Sequence, residues 1–360
     1  MPSHANADWL ESLSPWPGEF GLAKMRALLA ELGEPQRAYP AIHVVGTNGK
    51  STATRRAAAF LAREELSVGA YTSPHVSGWS ERIQVDGEGA DFEPALARIR
   101  DAAERLGATQ FEAVTAAALA EFAVAKVDVA VVEAGLGGRL DATNVLGARV
   151  VVLTNVSLDH TGVLGATREE IAGEKLAVVE RGAVVVLGEP EWDGFARRRE
   201  PARIVVADDV GRAAAEQFLG RELPGEVEIS LPGRFDVVGN DVYAGAHNVA
   251  GVAWLVARLP RRDYVVCAAI LDDKDARSMI AALRSRGRCF VATQTETERS
   301  LEAAELAGLA REFFPAVESV ADAQAALERA RELAGPDGAV LVTGSLYLLR
   351  DLFGRLEPVR

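Results

Sequence analysis

Short apolar runs alternate along the chain with longer segments in which apolar residues recur every three or four positions. The short runs are rich in Val and Ala, which is typical of buried strands, and the longer periodic segments predict helices. In the first half we expect strands at Ala41–Val45, Val68–Thr72, Asp128–Glu133, Arg149–Thr154 and Ala183–Leu187, and helices at Lys50–Arg63, Phe92–Leu106, Phe111–Ala125 and Arg168–Glu180. This alternation predicts an α/β fold, a parallel sheet with helices on both faces.

The pattern weakens between Glu189 and Gly233, where only a short strand and a short helix are indicated, and then restarts. Beyond that segment we expect strands at Tyr264–Leu271, Cys289–Thr293 and Ala339–Thr343, and helices at Asn248–Leu259, Ala276–Arg284, Leu301–Phe313 and Ala321–Ala334. One hydrophobic core rarely organises more than about 250–300 residues. The 360-residue chain is therefore predicted to hold two domains, 1–231 and 232–360, joined near Pro232. The many Ala and Arg residues of its helices we interpret as composition bias.

Composition narrows the class of protein. Hydrophobic residues make up 49% of the chain and the net charge is −13, a globular balance too acidic to coat nucleic acid or an anionic membrane. The two cysteines, Cys267 and Cys289, lie in apolar runs and are interpreted as reduced thiols. With no signal peptide and no apolar stretch of about 20 residues, we expect a cytoplasmic protein that does not enter the membrane.

A glycine-bearing loop is the strongest single chemical signal. Gly46, Thr47, Asn48, Gly49, Lys50, Ser51 and Thr52 follow a predicted strand and open a predicted helix. Glycines let backbone N–H groups turn towards a phosphate, the helix N-terminus favours an anion, the lysine can neutralise phosphate charge, and a hydroxyl can bind Mg²⁺. The spacing is shorter than the general phosphate-loop pattern, so a plain glycine turn before a helix is the alternative.

Three further residues are candidates for the same site. Glu133 ends a predicted strand, where parallel sheets place their ligand chemistry, and a glycine run behind it indicates close approach of the backbone. His160 follows another strand and is favoured as a metal ligand over a structural histidine. Lys175, taken alone, would be a solvated helix lysine.

Longer motifs carry a resemblance to a known family. HVVGTNGKST, VVEAGLGGRLDATNVL, TNVSLDHTGVLGATREEIAGEK, LPGRF, GAHN, DDKD and VTGSLYLL follow one another in this order, and the match runs from about Trp9 to Leu352. The chain resembles the dihydrofolate synthase/folylpolyglutamate synthase family of the Mur ligase superfamily. The resemblance implies a phosphate-loop (P-loop) parallel-sheet N-terminal domain, a smaller Rossmann-like C-terminal domain, and an active site in the cleft between them.

The implied reaction is an ATP-driven amide ligation. A pterin or folate carboxylate is phosphorylated to an acyl phosphate, and the amine of L-glutamate then displaces the phosphate. The family implies ATP and Mg²⁺, with two ions expected, a carbamylated Lys175, small-molecule partners only, and a monomer. Dihydrofolate synthesis and polyglutamate extension are not separated by the sequence.

Site residues carry over one by one. Lys50, Lys175 and His247 are expected to be catalytic, and Ser73, Glu133 and His160 match the Mg²⁺ ligands. The loop from Gly46 to Thr52, together with Arg234, matches the ATP site. Phe111, Glu112 and Thr115 match a segment near the pterin, and His247 and Asn248 match a segment that faces the cleft.

Departures from the family pattern weaken the nucleoside half of the ATP site. Ala244 stands where the family has the Asp that binds ribose, with Asp241 or Asn240 as candidate substitutes. The family's Gln-x-x-Asn-Ala helix, whose Asn touches adenine, is not found between Glu189 and Pro232. The phosphate loop has GKST in place of GKGS, and EKLAV replaces EKAGI. A diverged ligase with another carboxylate or amino acid, or a non-catalytic nucleotide-binding homologue, therefore remain as alternatives.

Overall fold

The computed structural model describes residues 5–353. Within that range the chain forms two compact units. The first contains the residues up to Pro74 together with Trp79–Ser230, and the second contains His75–Gly78 together with the residues from Leu231 onwards. Each unit is built around its own sheet.

The sheet of the first unit has eight strands, six of them parallel. Its strands are β1 (Ala41–Val45), β2 (Val68–Tyr71), β3 (Ile83–Val85), β4 (Glu88–Gly89), β5 (Val129–Glu133), β6 (Val150–Leu153), β7 (Val184–Leu187) and β8 (Arg203–Val206). Their order across the sheet is β4-β3-β2-β5-β1-β6-β7-β8. The strands from β2 to β8 in this order pair in parallel, and β3 and β4 add an antiparallel edge beside β2. The carboxyl ends of β1, β2 and β5 consequently meet at one edge.

Helices cover both faces of this sheet, as the strand–helix alternation predicts. They are α1 (Ala5–Ser12), α2 (Ala23–Glu31), α3 (Lys50–Arg63), α4 (Phe92–Leu106), α5 (Gln110–Ala125), α6 (Thr161–Leu164), α7 (Arg168–Leu176), α8 (Asp193–Arg197) and α9 (Val210–Leu219). Alternate residues of β1 enter opposite cores: Ile42 and Val44 pack with α3 and α9, whereas Ala41 and Val45 pack with the helices of the other face. Both sides of the central strand are buried, which explains its continuous apolar run.

The second unit holds a six-stranded sheet in the order β13-β12-β11-β14-β10-β9. Its strands are β9 (Asp236–Val238), β10 (Asp241–Ala244), β11 (Tyr264–Ala268), β12 (Gly287–Ala292), β13 (Ala316–Ser319) and β14 (Val340–Thr343). Its helices are α10 (Val249–Arg258), α11 (Ala276–Leu283), α12 (Ala303–Ala310), α13 (Ala323–Ala334) and α14 (Leu346–Phe353). All pairings are parallel except that between β9 and β10.

Several boundaries differ from the sequence prediction. The helix predicted over Arg168–Glu180 ends at Leu176, and the hairpins β3–β4 and β9–β10, strand β13 and helix α14 were not predicted. Both sheets therefore carry antiparallel edges. Most of the missed strands are short and lie at an edge, and Val237 and Val238 of β9 are more than half exposed, so no long apolar run marks them. No helix within residues 5–353 combines the length and apolarity needed to cross a membrane.

Candidate active site

Glycine is required at two positions of the loop between β1 and α3. Gly46 has φ of +150°, and a Cβ added there would lie 1.9 Å from the Thr154 Oγ1. Gly49 has φ of +80° and caps the N-terminus of α3, a conformation that L side chains rarely adopt. The loop thus leads directly into the positive end of a 14-residue helix, the arrangement expected of a phosphate site.

The segment after β6 holds this loop in place. The Thr47 and Asn48 amides donate to the backbone oxygen and the Oδ1 of Asn155, at 2.9 and 3.0 Å. Thr154 Oγ1 donates to the Asn48 carbonyl at 2.7 Å, and the Ser157 amide donates to Thr47 Oγ1 at 3.0 Å. The Thr47 and Asn48 amides are therefore used inside the protein, although the sequence grouped them with the phosphate-binding loop.

Glu133 brings a helix and a neighbouring strand together. Its carboxylate, on a residue only 1% exposed, accepts from Ser51 Oγ at 3.1 Å and from the Ser73 amide at 3.0 Å. Ser51 lies in the first turn of α3, and Ser73 follows β2, the strand that pairs with β5. Two of the three predicted metal ligands, Ser73 and Glu133, are thus in contact beside the phosphate loop. Glu133 is a buried acid, not a surface one.

Lys175 is buried and points at the phosphate loop. The residue is only 4% exposed, and its Nζ donates to the Gly46 carbonyl at 2.8 Å. Burial, reinforced by the nearby charge of Lys50, lowers the pKa of Lys175 to about 7. Lys50 itself lies half-buried at the start of α3, with Nζ 3.1 Å from the Thr47 carbonyl. Lys175 is therefore no solvated helix lysine.

The glycine run after Glu133 approaches other parts of the protein. A Cβ on Gly135 would lie 2.5 Å from the ring of Phe111, and one on Gly138 would lie 2.6 Å from the Lys175 carbonyl. The close approach predicted at this run is therefore packing against α5 and α7. It holds α5 and α7 against the loop that follows Glu133.

His160 is the N-cap residue of the short helix α6 and has a left-handed conformation, with φ of +50°. Its amide donates to Asp159 Oδ1 at 2.9 Å, and its Nε2 lies 3.9 Å from the same oxygen. Three residues earlier, Ser157 contacts the phosphate loop. Among the described residues, no three His, Cys, Asp or Glu side chains group in a way that could hold a metal ion, so a metal would also need hydroxyl oxygens such as those of serine.

The predicted pterin segment divides into different roles. Phe111 lies against Gly135, and Thr115 Oγ1 is 3.0 Å from the hydroxyl of Tyr71, at the end of β2. Glu112 is engaged elsewhere: its Oε2 accepts from the amide and hydroxyl of Thr109, both at 2.8 Å, in the capping box that starts α5. The structure thus gives Glu112 a capping role, which is the ordinary use of an acid at this position.

A buried polar chain near the site was missed by the sequence analysis. His43 Nε2 is 2.8 Å from Thr143 Oγ1, and the same hydroxyl bonds Asp141, which also accepts from the amide of Leu136 at 2.7 Å. Burial lowers the pKa of His43 to about 4 and raises the pKa of Asp141, which the Lys50 charge lowers in part. Asp141 lies within the GLGGRLDATN motif, so the motif itself could have drawn attention to it.

The predicted residues of the second unit lie around the ends of β10 and β14. Asn248 is buried and caps α10, its Oδ1 accepting from the Gly251 amide at 2.8 Å. His247 Nδ1 is 2.9 Å from the Gly245 carbonyl, and the Gly245 amide donates to the Gly233 carbonyl at 2.8 Å. The last contact brings the segment that carries Arg234 beside the one that carries His247. The oxygen of Asn248 serves the helix cap.

The departures from the family pattern have a structural counterpart. Ala244, the last residue of β10, is 1% exposed and packs into the apolar core of the second unit. Asp241 begins the same strand and accepts from the Val340 amide at 2.9 Å and from Arg331 at 3.2 Å, so it does not substitute at the other end. Asn240 likewise bonds Arg262, at 2.9 Å. Between Glu189 and Pro232 the α-helices are α8 and α9, and neither contains a Gln-x-x-Asn-Ala sequence.

Family comparison agrees with this architecture. The Mur ligase middle domain matches residues 44–237, more than half of the chain. The Mur ligase glutamate ligase domain matches residues 233–346.

Curated relatives extend the match over nearly the whole chain. A dihydrofolate synthase/folylpolyglutamate synthase of Mycobacterium tuberculosis is 31% identical over 93% of this chain and 90% of its own length. A probable bifunctional folylpolyglutamate synthase/dihydropteroate synthase of Haloferax volcanii is 32% identical over 98% of this chain. The chain spans about half the length of that bifunctional relative, 50%.

Solved structures show the same similarity in three dimensions. The folylpolyglutamate synthase of M. tuberculosis complexed with ADP matches with a TM-score of 0.89 and 30% identity, over 97% of both chains. A bifunctional folylpolyglutamate synthase/dihydrofolate synthase with Mn, AMPPNP and L-glutamate bound matches with a TM-score of 0.85 and 27% identity, over 98% of both chains. From this similarity over nearly the whole chain, this chain belongs to the dihydrofolate synthase/folylpolyglutamate synthase family of the Mur ligases.

Proposed function

We propose that this chain is an ATP-dependent acid–amino-acid ligase that adds L-glutamate to the carboxylate of dihydropteroate or a folate. One observation carries the proposal: Lys50, Lys175 and the Ser51–Glu133–Ser73 contacts meet at one sheet edge beside a glycine-dependent loop. The names of the relatives, and the ADP, AMPPNP and L-glutamate bound in the similar structures, support the same substrates here.

The acceptor carboxylate must first be activated, because a carboxylate resists attack by an amine. In the first step a carboxylate oxygen attacks the γ-phosphorus of ATP, and ADP leaves. In the second step the amine of glutamate attacks the acyl carbon, phosphate leaves with the C–O bond electrons, and the amine loses a proton. Both steps concentrate negative charge, so fixed positive groups at the phosphates lower the barrier most.

The amides of the first turn of α3 and the ammonium of Lys50 would hold the phosphates, because the Thr47 and Asn48 amides are used within the protein. Arg234, His247 and Asn248 of the second unit remain proposed ligand contacts, and His247 a proposed catalytic group. The packing of Phe111 and Thr115 beside Gly135 and Tyr71 supports a pterin site behind Glu133.

Oxygen-rich chemistry around Glu133 fits a hard divalent cation, since a buried carboxylate and two serines adjoin there. Ser73, Glu133 and His160 would hold Mg²⁺, two ions being expected. Bound there, Mg²⁺ would neutralise phosphate charge. The manganese of a similar structure supports a divalent metal.

Carbamylation of Lys175 is supported by its environment. A lysine with a pKa of about 7 is substantially a free amine at neutral pH, and the free amine is the form that adds CO₂. The carbamate would turn a buried cation beside the Gly46 carbonyl into an anion. Nuclear magnetic resonance with ¹³CO₂ would show a carbamate signal in the unmodified protein and none in Lys175→Met.

A diverged ligase is the second candidate, and one observation favours it. The buried Ala244 occupies the position of the family's ribose-binding Asp, and the acid that β10 does contain, Asp241, lies at the other end of the strand. Product analysis with dihydropteroate, tetrahydrofolate and glutamate offered together separates the two candidates. A non-catalytic homologue would give no ATP turnover with any of them. A cytoplasmic monomer remains our expectation.

A further inference from the structure

Arg55 is a buried arginine on α3, one helical turn beyond Ser51. The residue is 7% exposed although it carries a guanidinium. Its Nη2 donates to the Glu81 carbonyl at 2.5 Å and to Thr72 Oγ1 at 3.1 Å. Its Nε and Nη1 are also buried and have no hydrogen-bond partner within the described part of the chain. Packing alone is a poor reason for such a residue, because unpaired buried donors destabilise a fold.

Arg55 links α3 to two segments that are distant from it along the chain. Thr72 ends the β2 region, and its amide donates to the Arg82 carbonyl at 3.0 Å. Glu81 and Arg82 belong to the short turn Trp79–Arg82. Through one nitrogen, Arg55 therefore fixes both the end of β2 and this turn to the helix that begins at the phosphate loop.

The residue that follows Thr72 is Ser73, whose amide donates to Glu133. The other oxygen of Glu133 accepts from Ser51, which lies on the same face of α3 as Arg55. Arg55 thus stands beside both serines that contact the carboxylate. Burial lowers the pKa of Arg55, while the charges of Glu81 and Glu133 raise it, so the guanidinium and the carboxylate act on each other.

We propose that Arg55 is a positioning residue, which fixes the Thr72–Ser73 segment to α3 and so sets the geometry of the Ser51–Glu133–Ser73 contacts. Arg55 itself touches no reacting group in this proposal. The proposal rests on the proposed function in one respect only, the binding of a divalent cation by these residues.

The test compares Arg55→Gln, Thr72→Val and their double variant with the unmodified full chain. Mn²⁺ serves as the probe, and its affinity is measured by electron paramagnetic resonance. Loss of an outer contact to a metal site typically weakens metal binding roughly 10–100-fold, and we expect that range for Arg55→Gln. Thr72→Val should give a smaller loss of the same kind, and the double variant less than the product of the two, because both remove one shared contact.

Hydrogen exchange of the metal-free protein provides a readout independent of ligation. We expect faster exchange at the Thr72 and Ser73 amides in Arg55→Gln, and intermediate exchange in Arg55→Lys, which keeps the charge but loses the planar fork. Arg56→Gln is the matched control: the neighbouring arginine pairs with Asp209 and Glu226 instead, so it should alter neither readout.

The outcomes separate the two proposals. Unmodified protein that fails to bind Mn²⁺ overturns the metal role in the proposed function, and faster exchange in Arg55→Gln would still support the positioning role. The positioning role alone is overturned if the unmodified protein, Arg55→Gln and Thr72→Val all bind Mn²⁺ with the same affinity and the exchange of the Thr72 and Ser73 amides is unchanged. Should Arg55→Gln not fold, Arg55→Lys and Thr72→Val carry the same comparison.

Discussion

The ammonium of Lys175 donates a hydrogen bond to the backbone carbonyl of Gly46, 2.8 Å away. This contact ties helix α7 to the first residue of the phosphate loop, 129 positions earlier in the chain. It also places a second lysine near Lys50, and burial, reinforced by the charge of Lys50, keeps the pKa of Lys175 low. The contact therefore links the stability of the loop to the ionisation of one lysine.

This link predicts a pH dependence of stability. In the unfolded chain Lys175 holds its proton up to about 10.5, whereas the folded protein releases it near 7. Between these values the unfolded state binds more protons, so this group makes the free energy of unfolding rise with pH, with no contribution to the slope below about 7. Urea unfolding in CO₂-free buffer, at several pH values from about 6 to 9, should show this rise in the unmodified protein.

Lys175→Met should remove that part of the rise, because the apolar side chain does not titrate. Lys126→Met, a change at an exposed lysine of the same unit, is the control and should keep the slope of the unmodified protein. Equal slopes in Lys175→Met and the unmodified protein would mean that Lys175 stays protonated in the fold.

The two loop glycines should differ in their tolerance of alanine. Gly46→Ala puts a methyl group into Thr154, and such overpacking typically costs about 1–3 kcal/mol, with added strain from its backbone conformation. Gly49→Ala meets no atom within 4 Å, so only the left-handed conformation is strained, at about 1–2 kcal/mol. Denaturant unfolding ranks the two variants, and a larger loss in Gly49→Ala than in Gly46→Ala would contradict the loop geometry.

Lys50→Ala should nearly abolish ligation. Removing one preorganised electrostatic group typically lowers turnover about 10²–10³-fold, and Lys50 is the lysine held at the N-terminus of α3. Turnover at saturating ATP is the measurement. Near-normal turnover would show that the phosphates bind elsewhere.

Because Ala244 replaces the family's ribose-binding Asp, we expect the protein to discriminate weakly between nucleotides. An Asp bonded to a ribose hydroxyl contributes about 1.5–3 kcal/mol, and β10 itself carries no acid at the end where Ala244 lies. We expect poor discrimination between ATP and GTP in calorimetric titrations, and roughly tenfold tighter ATP binding in Ala244→Asp, at about 1.4 kcal/mol per factor of ten.

The same substitution buries a carboxylate where Ala244 is 1% exposed, so the unliganded variant should lose stability. Ala244→Asn, of matched size, separates charge from volume. Tight, ATP-selective binding by the unmodified protein would show that another residue has taken over the ribose contact.

Much of the secondary structure of the first unit could be predicted from local sequence patterns. Helix α3 begins and ends where its periodicity predicts, because the left-handed backbone of Gly49 cannot belong to the helix and the apolar face continues to Leu61. Strand β9 was not predicted, since Val237 and Val238 are exposed at an edge and no alternation marks them.

Side-chain roles depended on contacts far apart in the chain. Arg55 was attributed to composition bias, and only the fold shows that it faces Thr72 and Glu81. Glu112 matched a pterin segment, whereas its local partner Thr109 uses it as a cap. The capping box was visible three residues apart, so that role could have been predicted.

Mass spectrometry of the products tests the central claim most directly. The protein is incubated with Mg²⁺, ATP, L-glutamate, dihydropteroate and tetrahydrofolate, and Lys50→Ala serves as the control. The account predicts that at least one of the two acceptors gains a glutamyl residue, with ADP formed in step with product and neither formed by Lys50→Ala. ATP consumption with no glutamylated product, or no ATP consumption at all, would contradict it.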